Sequence, residues 1–158
     1  MTRHELREQT FKLLFGCDFH KDDDMHEALL NCAEVSLDEP MSDAEKAEVI
    51  EKVMEICEKQ KELDQKIDSV AEGWRTARMG KAELNILRLA LYEMLYDDRV
   101  PEKVAINEAV ELSKEYGGDD AHAFVNGILA KLITKVPFHE AAAAAPEAWS
   151  QEAENGSL

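Results

Sequence analysis

Apolar residues along this chain recur three and four positions apart, and runs of β-branched alternation are absent. The pattern therefore predicts helices and no sheet. A first helix opens at Thr2, with Glu5 three residues on. At that spacing a hydroxyl and a carboxylate each satisfy an amide the helix start would leave orphaned. Its apolar stripe is Leu6, Leu13, Leu14 and Cys17, with Phe11 and Phe15 beside it. A second helix is expected from Asp22-Asp23-Asp24, whose acids suit the positive end of a helix dipole. It carries Met25, Ala28, Leu29, Cys32 and Val35. Pro40 breaks the chain, and Ser42 with Glu45 repeats the capping spacing to open a third helix. Its inward face is Val49 or Ile50, Val53, Met54 and Cys57. A polar interruption from Glu58 to Glu62 precedes a fourth, shorter helix, with Leu63, Ile67, Val70 and Trp74 on one face.

Gly80 marks the next boundary. Leu84, Ile86, Leu87, Leu89, Ala90, Leu91, Met94 and Leu95 then cover nearly every side of a fifth helix, the mark of a buried central element. It stops before Arg99-Val100-Pro101, because the residue preceding proline disfavours the helical region. A sixth helix carries Val104, Ala105, Ala109, Val110 and Leu112, and ends at Tyr116-Gly117-Gly118, where glycine is expected to supply a left-handed cap. Asp119 or Asp120 caps a seventh helix bearing Phe124, Val125, Ile128, Leu129, Leu132 and Ile133, with Pro137 as its stop. Residues 137–158 form an acidic, Ala-rich, low-complexity tail with almost no apolar face, expected to be disordered.

Charge changes this picture by its distribution. The formal net charge is −16, from 18 Lys+Arg against 34 Asp+Glu. Such a surface excludes a simple basic nucleic-acid binder and charge-driven adhesion to anionic membrane. Yet residues 18–72 hold −12 of the total and residues 137–158 hold −4. Residues 1–17 sum to +1 and residues 73–136 to −1, so local positive patches remain open there. Cys17, Cys32 and Cys57 are odd in number and form no CxxC pair, which fits a reducing cytoplasm. No run is long and apolar enough to span a bilayer, and no signal-peptide core follows the N-terminus.

The search for chemistry is mostly empty. GxSxG, GxxxxGK, HExxH and the dinucleotide glycine fingerprint are all absent, so neither catalysis nor a cofactor is expected. Cys17, His20, His26 and Cys32 are zinc-ligand types without the tight pairing of structural sites, and they read as buried thiols and surface imidazoles rather than a metal site. Arg3 and Arg7, four apart with His4 adjacent, share a helix face that can meet RNA phosphates; a solvated face is the plain alternative. Arg88, inside the most apolar helix, is either a structural arginine paired with an acid, the favoured reading, or a functional group at a cleft. Phe124 follows a Gly-Gly loop, near His122 and Asn126, where a ring can stack on a base or pack in the core.

These residues converge on a family. Ile86–Glu93, Val100–Leu112 and Asp120–Leu129, with their VAINEAVEL and HAFVNGIL segments in this order, closely resemble the NusB family of bacterial antitermination factors. The resemblance is strong over residues 80–133 and looser over the first helix, Leu6 to Phe15. Residues 20–72 match in helical character only, and the tail has no counterpart.

The resemblance implies an all-α fold of about seven helices in two small subdomains. Residues 1–136 would be the domain, with an N-terminal sub-bundle of about 1–76 and a C-terminal one of about 80–136. It implies a non-enzymatic, cytoplasmic role: binding boxA-type RNA together with the ribosomal protein NusE, within the RNA polymerase antitermination complex on ribosomal RNA operons. Carried over residue by residue, Arg3 and Arg7 match arginines of the family's RNA-binding first helix, and Phe124 matches the aromatic of the FVNG segment, with His122 a further candidate RNA contact. His4 and Glu5 stand where the family often has further arginines, and Ala123 where a lysine can occur. Phe15 and Glu83 fall on the NusE-facing surface, and Asp120 at the junction that tunes activity. Asn107 and Glu108 read as a structural polar network. The reduced arginine cluster leaves a second expectation open, an acidic helical interaction module or homodimer that has lost RNA binding. NusB-like domains also precede RNA methyltransferase domains, but no methyl-donor fold follows residue 133.

Overall fold

Both capping boxes read from the sequence form. In the computed structural model, which describes residues 1–18, 41–73 and 75–135, Thr2 and Glu5 open α1, Arg3–Cys17. Ser42 and Glu45 open α2, Asp43–Glu58. Each hydroxyl accepts the N3 amide at 3.1 Å, and each glutamate accepts the cap amide at 2.9–3.0 Å. The four bonds satisfy amides that otherwise face nothing at a helix start. Four further helices follow: α3, Gln60–Val70; α4, Lys81–Tyr96; α5, Glu102–Tyr116; and α6, Ala121–Lys135. A single 3₁₀ turn covers Thr76–Arg78. Six α-helices and no strand occur among the described residues, as an all-α reading requires. The second predicted helix, on residues 22–35, lies outside them, as do Trp74 and the tail.

The chain divides into two compact units between Gln60 and Lys61, earlier than the junction expected near 76–80. In the first unit α1 packs against α2. Phe11, Leu13, Leu14 and Cys17 are buried with Val49, Val53 and Ile56. Ile56, absent from the expected face of α2, is fully covered, whereas Met54 and Cys57 are half-buried. Leu6 and Phe15 are half-buried too, and Phe15 leans on Phe11 with ring centroids 5.9 Å apart.

In the second unit α4, α5 and α6 each pack on the other two. Every residue of α4 from Leu84 to Met94 is buried, which confirms the central helix. Ala105, Ile106, Ala109 and Leu112 of α5 and Val125, Ile128, Leu129 and Leu132 of α6 complete the core. Ile106 takes the inward position, while Val104 and Val110 are half-buried. A fully buried Leu or Ile contributes about 1.5–3 kcal/mol by leaving water, so this triangle dominates the unit's stability.

Polar bridges fasten α3 to its neighbours in this unit. Asp64 takes the Arg88 guanidinium through two bonds of 2.8 Å, and a third Arg88 donor reaches Asn85 Oδ1 at 3.1 Å. Arg88, 2% exposed, is therefore the structural arginine the sequence suggested. Asp68 holds the 3₁₀ turn by accepting the amide and hydroxyl of Thr76 at 2.7 and 3.0 Å. Glu62 accepts the Tyr96 hydroxyl.

Three local expectations are corrected. The break between α2 and α3 is only Lys59, because helix geometry resumes at Gln60 rather than after Glu62. The fourth helix ends at Val70, where Gly73 turns the chain at a φ of +73° that only glycine takes freely. Gly117 does not form a left-handed cap, since its φ is −93°. Glycine is needed there for space: a β-carbon would stand 2.4 Å from Ala121 Cβ and 2.7 Å from the Ser113 carbonyl oxygen.

Candidate functional site

The candidate residues fall into two groups, one on each unit. Arg3, His4, Arg7 and Phe15 lie along α1. Glu83, Asp120, His122 and Phe124 lie at the start of α4 and around the turn from α5 to α6.

On α1 the cations differ sharply in availability. Arg3 is the exposed one, with 70% of its side chain in solvent, and its Nη1 donates to Glu48 Oε1 at 3.0 Å. His4 is half-buried. Arg7 is only 8% exposed and is engaged within the protein. The i, i+4 spacing placed Arg3 and Arg7 on one face, but it could not show that the face is covered around Arg7. Thr10 is buried as well, and its hydroxyl is satisfied by the Leu6 carbonyl at 2.8 Å.

Acids of α2 border this basic start. The Met1 ammonium donates to Glu45 Oε2 at 2.9 Å. The Ser42 amide, foremost, and then that ammonium hold the Glu45 carboxyl down at about 2. The ammonium is in turn raised, by its hydrogen bond to Glu45 and by the charge of that carboxylate. A phosphate approaching Arg3 therefore competes with Glu48 and meets Glu45 nearby in the chain, which weakens the positive field there.

The second group is built around a turn. Gly117 amide closes α5 on Ser113 O at 2.9 Å, Ala121 amide bonds Gly118 O at 3.1 Å, and Phe124 amide bonds Asp120 O at 3.2 Å. Asp119, Asp120, His122, Ala123 and Asn126 are exposed, and Phe124 is half-buried. The ring is thus neither a closed core residue nor a free one: part of it packs and part stays accessible. Glu83, half-buried, reaches the same turn, its Oε1 accepting from the Gly118 amide at 3.4 Å. The structure so brings Glu83 to the Asp120 turn, a juxtaposition the sequence did not announce.

Exposed Lys131 and Lys135 add cations further along α6 that sequence reasoning did not nominate. Cys17, of the weighed metal set, is buried in α1; His20, His26 and Cys32 lie outside the described residues. Among the described residues no helix is long and apolar enough to cross a membrane.

The model of the NusB family matches residues 4–134. The chain belongs to the NusB family. A transcription antitermination protein NusB of Agathobacter rectalis is 48% identical over 133 residues, which cover 83% of this chain and 98% of that relative. The solved structure of NusB from T. maritima is 32% identical and superposes with a TM-score of 0.75, covering 85% of this chain and 92% of that one. NusB in a crystal structure with NusE and double-stranded RNA is 22% identical, with a TM-score of 0.70 over 85% and 99% of the chains, and shares the fold. The match over residues 4–134 takes in all six described helices but for Arg3 at the start of α1 and Lys135 at the end of α6, so every candidate residue except Arg3 falls within it.

Proposed function

We propose that this chain is a transcription antitermination factor that binds boxA-type RNA together with NusE in the transcription of ribosomal RNA operons. The observation that carries the reading is the accessible start of α6, where Phe124 is half-buried and His122 and Asn126 are exposed, within a NusB-family match. A partly exposed aromatic, with hydrogen-bonding residues two positions to either side along the chain, suits an unstacked base. Arg3 supplies a phosphate contact, and His4 and Arg7 line the same helix. Phe15 of the first unit, and Glu83 and Asp120 of the second, are the residues that meet NusE. The working module is residues 1–136, and residues 137–158 are an acidic appendage. The role is one of binding rather than catalysis, in the cytoplasm, within the RNA polymerase antitermination complex.

The relatives' naming and the NusB–NusE–RNA structure support this reading. The local electrostatics refine it. With Arg7 covered and Arg3 paired to Glu48, the chain alone offers phosphate few cations, so affinity must come from the partner. Fluorescence anisotropy with boxA-type and scrambled RNA, with and without NusE, tests it. The expected result is weak binding alone and sequence-selective binding by the mixture. A mixture that binds boxA-type RNA no better than scrambled RNA would overturn it.

The same two observations favour one second reading, an acidic interaction module, with homodimers, that has lost RNA binding. Analytical ultracentrifugation with and without NusE separates them: a stable homodimer that NusE does not dissociate supports the second.

A further inference from the structure

We infer that Glu83 is a positioning residue for the α5–α6 turn, its carboxylate lying between Gly80 and the Gly118 amide. The functional consequence rests on the RNA reading above; the structural claim does not.

Glu83 occupies the third position of α4, after Gly80 at the cap. The spacing is that of Thr2 with Glu5 and Ser42 with Glu45, but glycine offers no hydroxyl to exchange with. The carboxylate instead bridges two elements. Oε1 accepts from the Gly118 amide at 3.4 Å. A β-carbon on Gly117 would stand 3.3 Å from the same oxygen, and one on Gly80 would stand 2.3 Å from Oε2. Backbone conformation does not explain these glycines, because φ is −61° at Gly80 and −93° at Gly117, values any residue adopts. Space does.

The hold passes directly to the candidate RNA face. Gly118, which donates its amide to Glu83, also accepts the Ala121 amide at 3.1 Å, and Asp120 accepts the Phe124 amide at 3.2 Å. A carboxylate on a peptide amide is a charge-assisted contact that limits where the turn can settle. Through it Glu83 sets where α6 begins and hence where Phe124 and His122 stand. Glu83 thus acts on the RNA side without touching RNA.

Three variants of the full chain separate this role from a purely partner-facing one. Glu83→Ala removes the tie. Gly80→Ala keeps the charge but drives the flexible carboxylate away from the turn, at a position where alanine fits the backbone. Glu83→Gln keeps an oxygen that can accept from Gly118. Amide exchange and chemical shifts over Gly118–Phe124 are followed by NMR, and boxA-type RNA affinity is measured without NusE. Glu83→Ala and Gly80→Ala are expected to speed Gly118 exchange, to shift the Ala121–Phe124 signals, and to weaken RNA binding about fivefold, the scale of one modest hydrogen bond. Glu83→Gln is expected to keep the Gly118 exchange rate and the Ala121–Phe124 signals of the parent, because its amide oxygen can still accept from Gly118. Unchanged Gly118–Phe124 signals in both Glu83→Ala and Gly80→Ala overturn the positioning role, whatever RNA does. RNA binding that falls in Glu83→Ala but not in Gly80→Ala overturns it too, because the carboxylate then acts by contact. A parent chain whose mixture with NusE ignores boxA-type RNA removes the RNA reading alone, and the Gly118 signals still decide this claim.

Discussion

Arg88 grips Asp64 with two parallel hydrogen bonds, Nε to Oδ1 and Nη2 to Oδ2, each 2.8 Å long. The two ends are not equivalent. Arg88 is 2% exposed while the Asp64 side chain is 22% exposed, so water can reach the acid but not the cation. Asp64→Ala leaves a buried guanidinium without its counter-charge and is expected to cost about 3–5 kcal/mol. Arg88→Met keeps the packing of a long stem and leaves an acid that water can solvate, so about 1–3 kcal/mol is expected. Urea unfolding of both variants checks the order. An Arg88→Met cost equal to or above that of Asp64→Ala would show that the acid, not the cation, is the stranded partner.

Tyr96 on α4 donates its hydroxyl to Glu62 on α3. That hydrogen bond, aided by burial and by the carboxylate's charge, pushes the phenol up from 10.0 to about 12. A raised folded-state value stabilises the fold fully below the unfolded value and loses that contribution as pH rises through the folded one. Stability should therefore fall between pH 10 and about 12 more steeply in the parent than in Tyr96→Phe. Phenolate absorbance and thermal midpoints along that range measure it, and parallel curves would remove the Glu62 bond from the account.

Glu45 gives the opposite sign. Its carboxyl is held at about 2 by the Ser42 amide and then by the N-terminal ammonium, against an ordinary 4.5. Its contribution is present above pH 4.5 and is lost as pH falls toward about 2. Glu45→Gln should flatten the acid limb of the stability curve over that window. Carbon-detected NMR titration of the carboxyl reads the value directly, and a midpoint near 4.5 would mean the capping box does not persist in solution.

Gly127 sits in the middle of α6, and a β-carbon there would meet nothing within 4 Å. Its φ is not in the left-handed region. Neither packing nor backbone requires glycine, so Gly127→Ala is expected to stabilise the chain by about 0.5–1 kcal/mol. A simultaneous drop in RNA affinity would show that the open face is reserved for close approach of a ligand. Destabilisation would place a neighbour where the structure has open space.

What could be read beforehand divides along physical lines. Helix starts were legible because a capping box is local: Thr2 with Glu5 and Ser42 with Glu45 need no partner from elsewhere in the chain. The central helix was legible because Leu84 to Met94 is apolar around its circumference. Arg88 stands out in the sequence as a cation inside an apolar helix, but Asp64, on another helix, does not, since periodicity does not report which helices meet. Gly117 was marked as a stop for its conformational freedom, whereas the structure uses its missing side chain. The large acidic excess of residues 18–72 also misleads when treated as solvated charge. Glu45, Glu48, Glu62, Asp64 and Asp68 all hold donors within their own units. In the candidate site, helical spacing aligned Arg3 with Arg7 but said nothing of cover, and burial then separated them.

That separation decides how the RNA surface should be tested. Arg7→Glu puts a charge of the wrong sign into a position only 8% exposed, so a loss of RNA binding would report unfolding as readily as a lost contact. Arg3 avoids the difficulty, because 70% of its side chain is in solvent and its bond to Glu48 is a surface pair worth less than about 1 kcal/mol. Arg3→Ala is expected to leave the thermal midpoint within a degree or two, on the roughly 0.5 kcal/mol scale of ordinary surface substitutions. If Arg3 contacts a phosphate, the variant weakens RNA binding by the NusE mixture and lowers the slope of log affinity against log salt by about 0.7, the single-strand value for one phosphate. Glu48→Gln supplies the opposite arm. Freed from its acid, Arg3 should bind phosphate more tightly, and affinity should rise in Glu48→Gln but not in the double variant with Arg3→Ala. Anisotropy titrations across a salt series read all four proteins. An unchanged slope in Arg3→Ala, with no gain in Glu48→Gln, would remove α1 from the RNA surface and leave recognition to the start of α6.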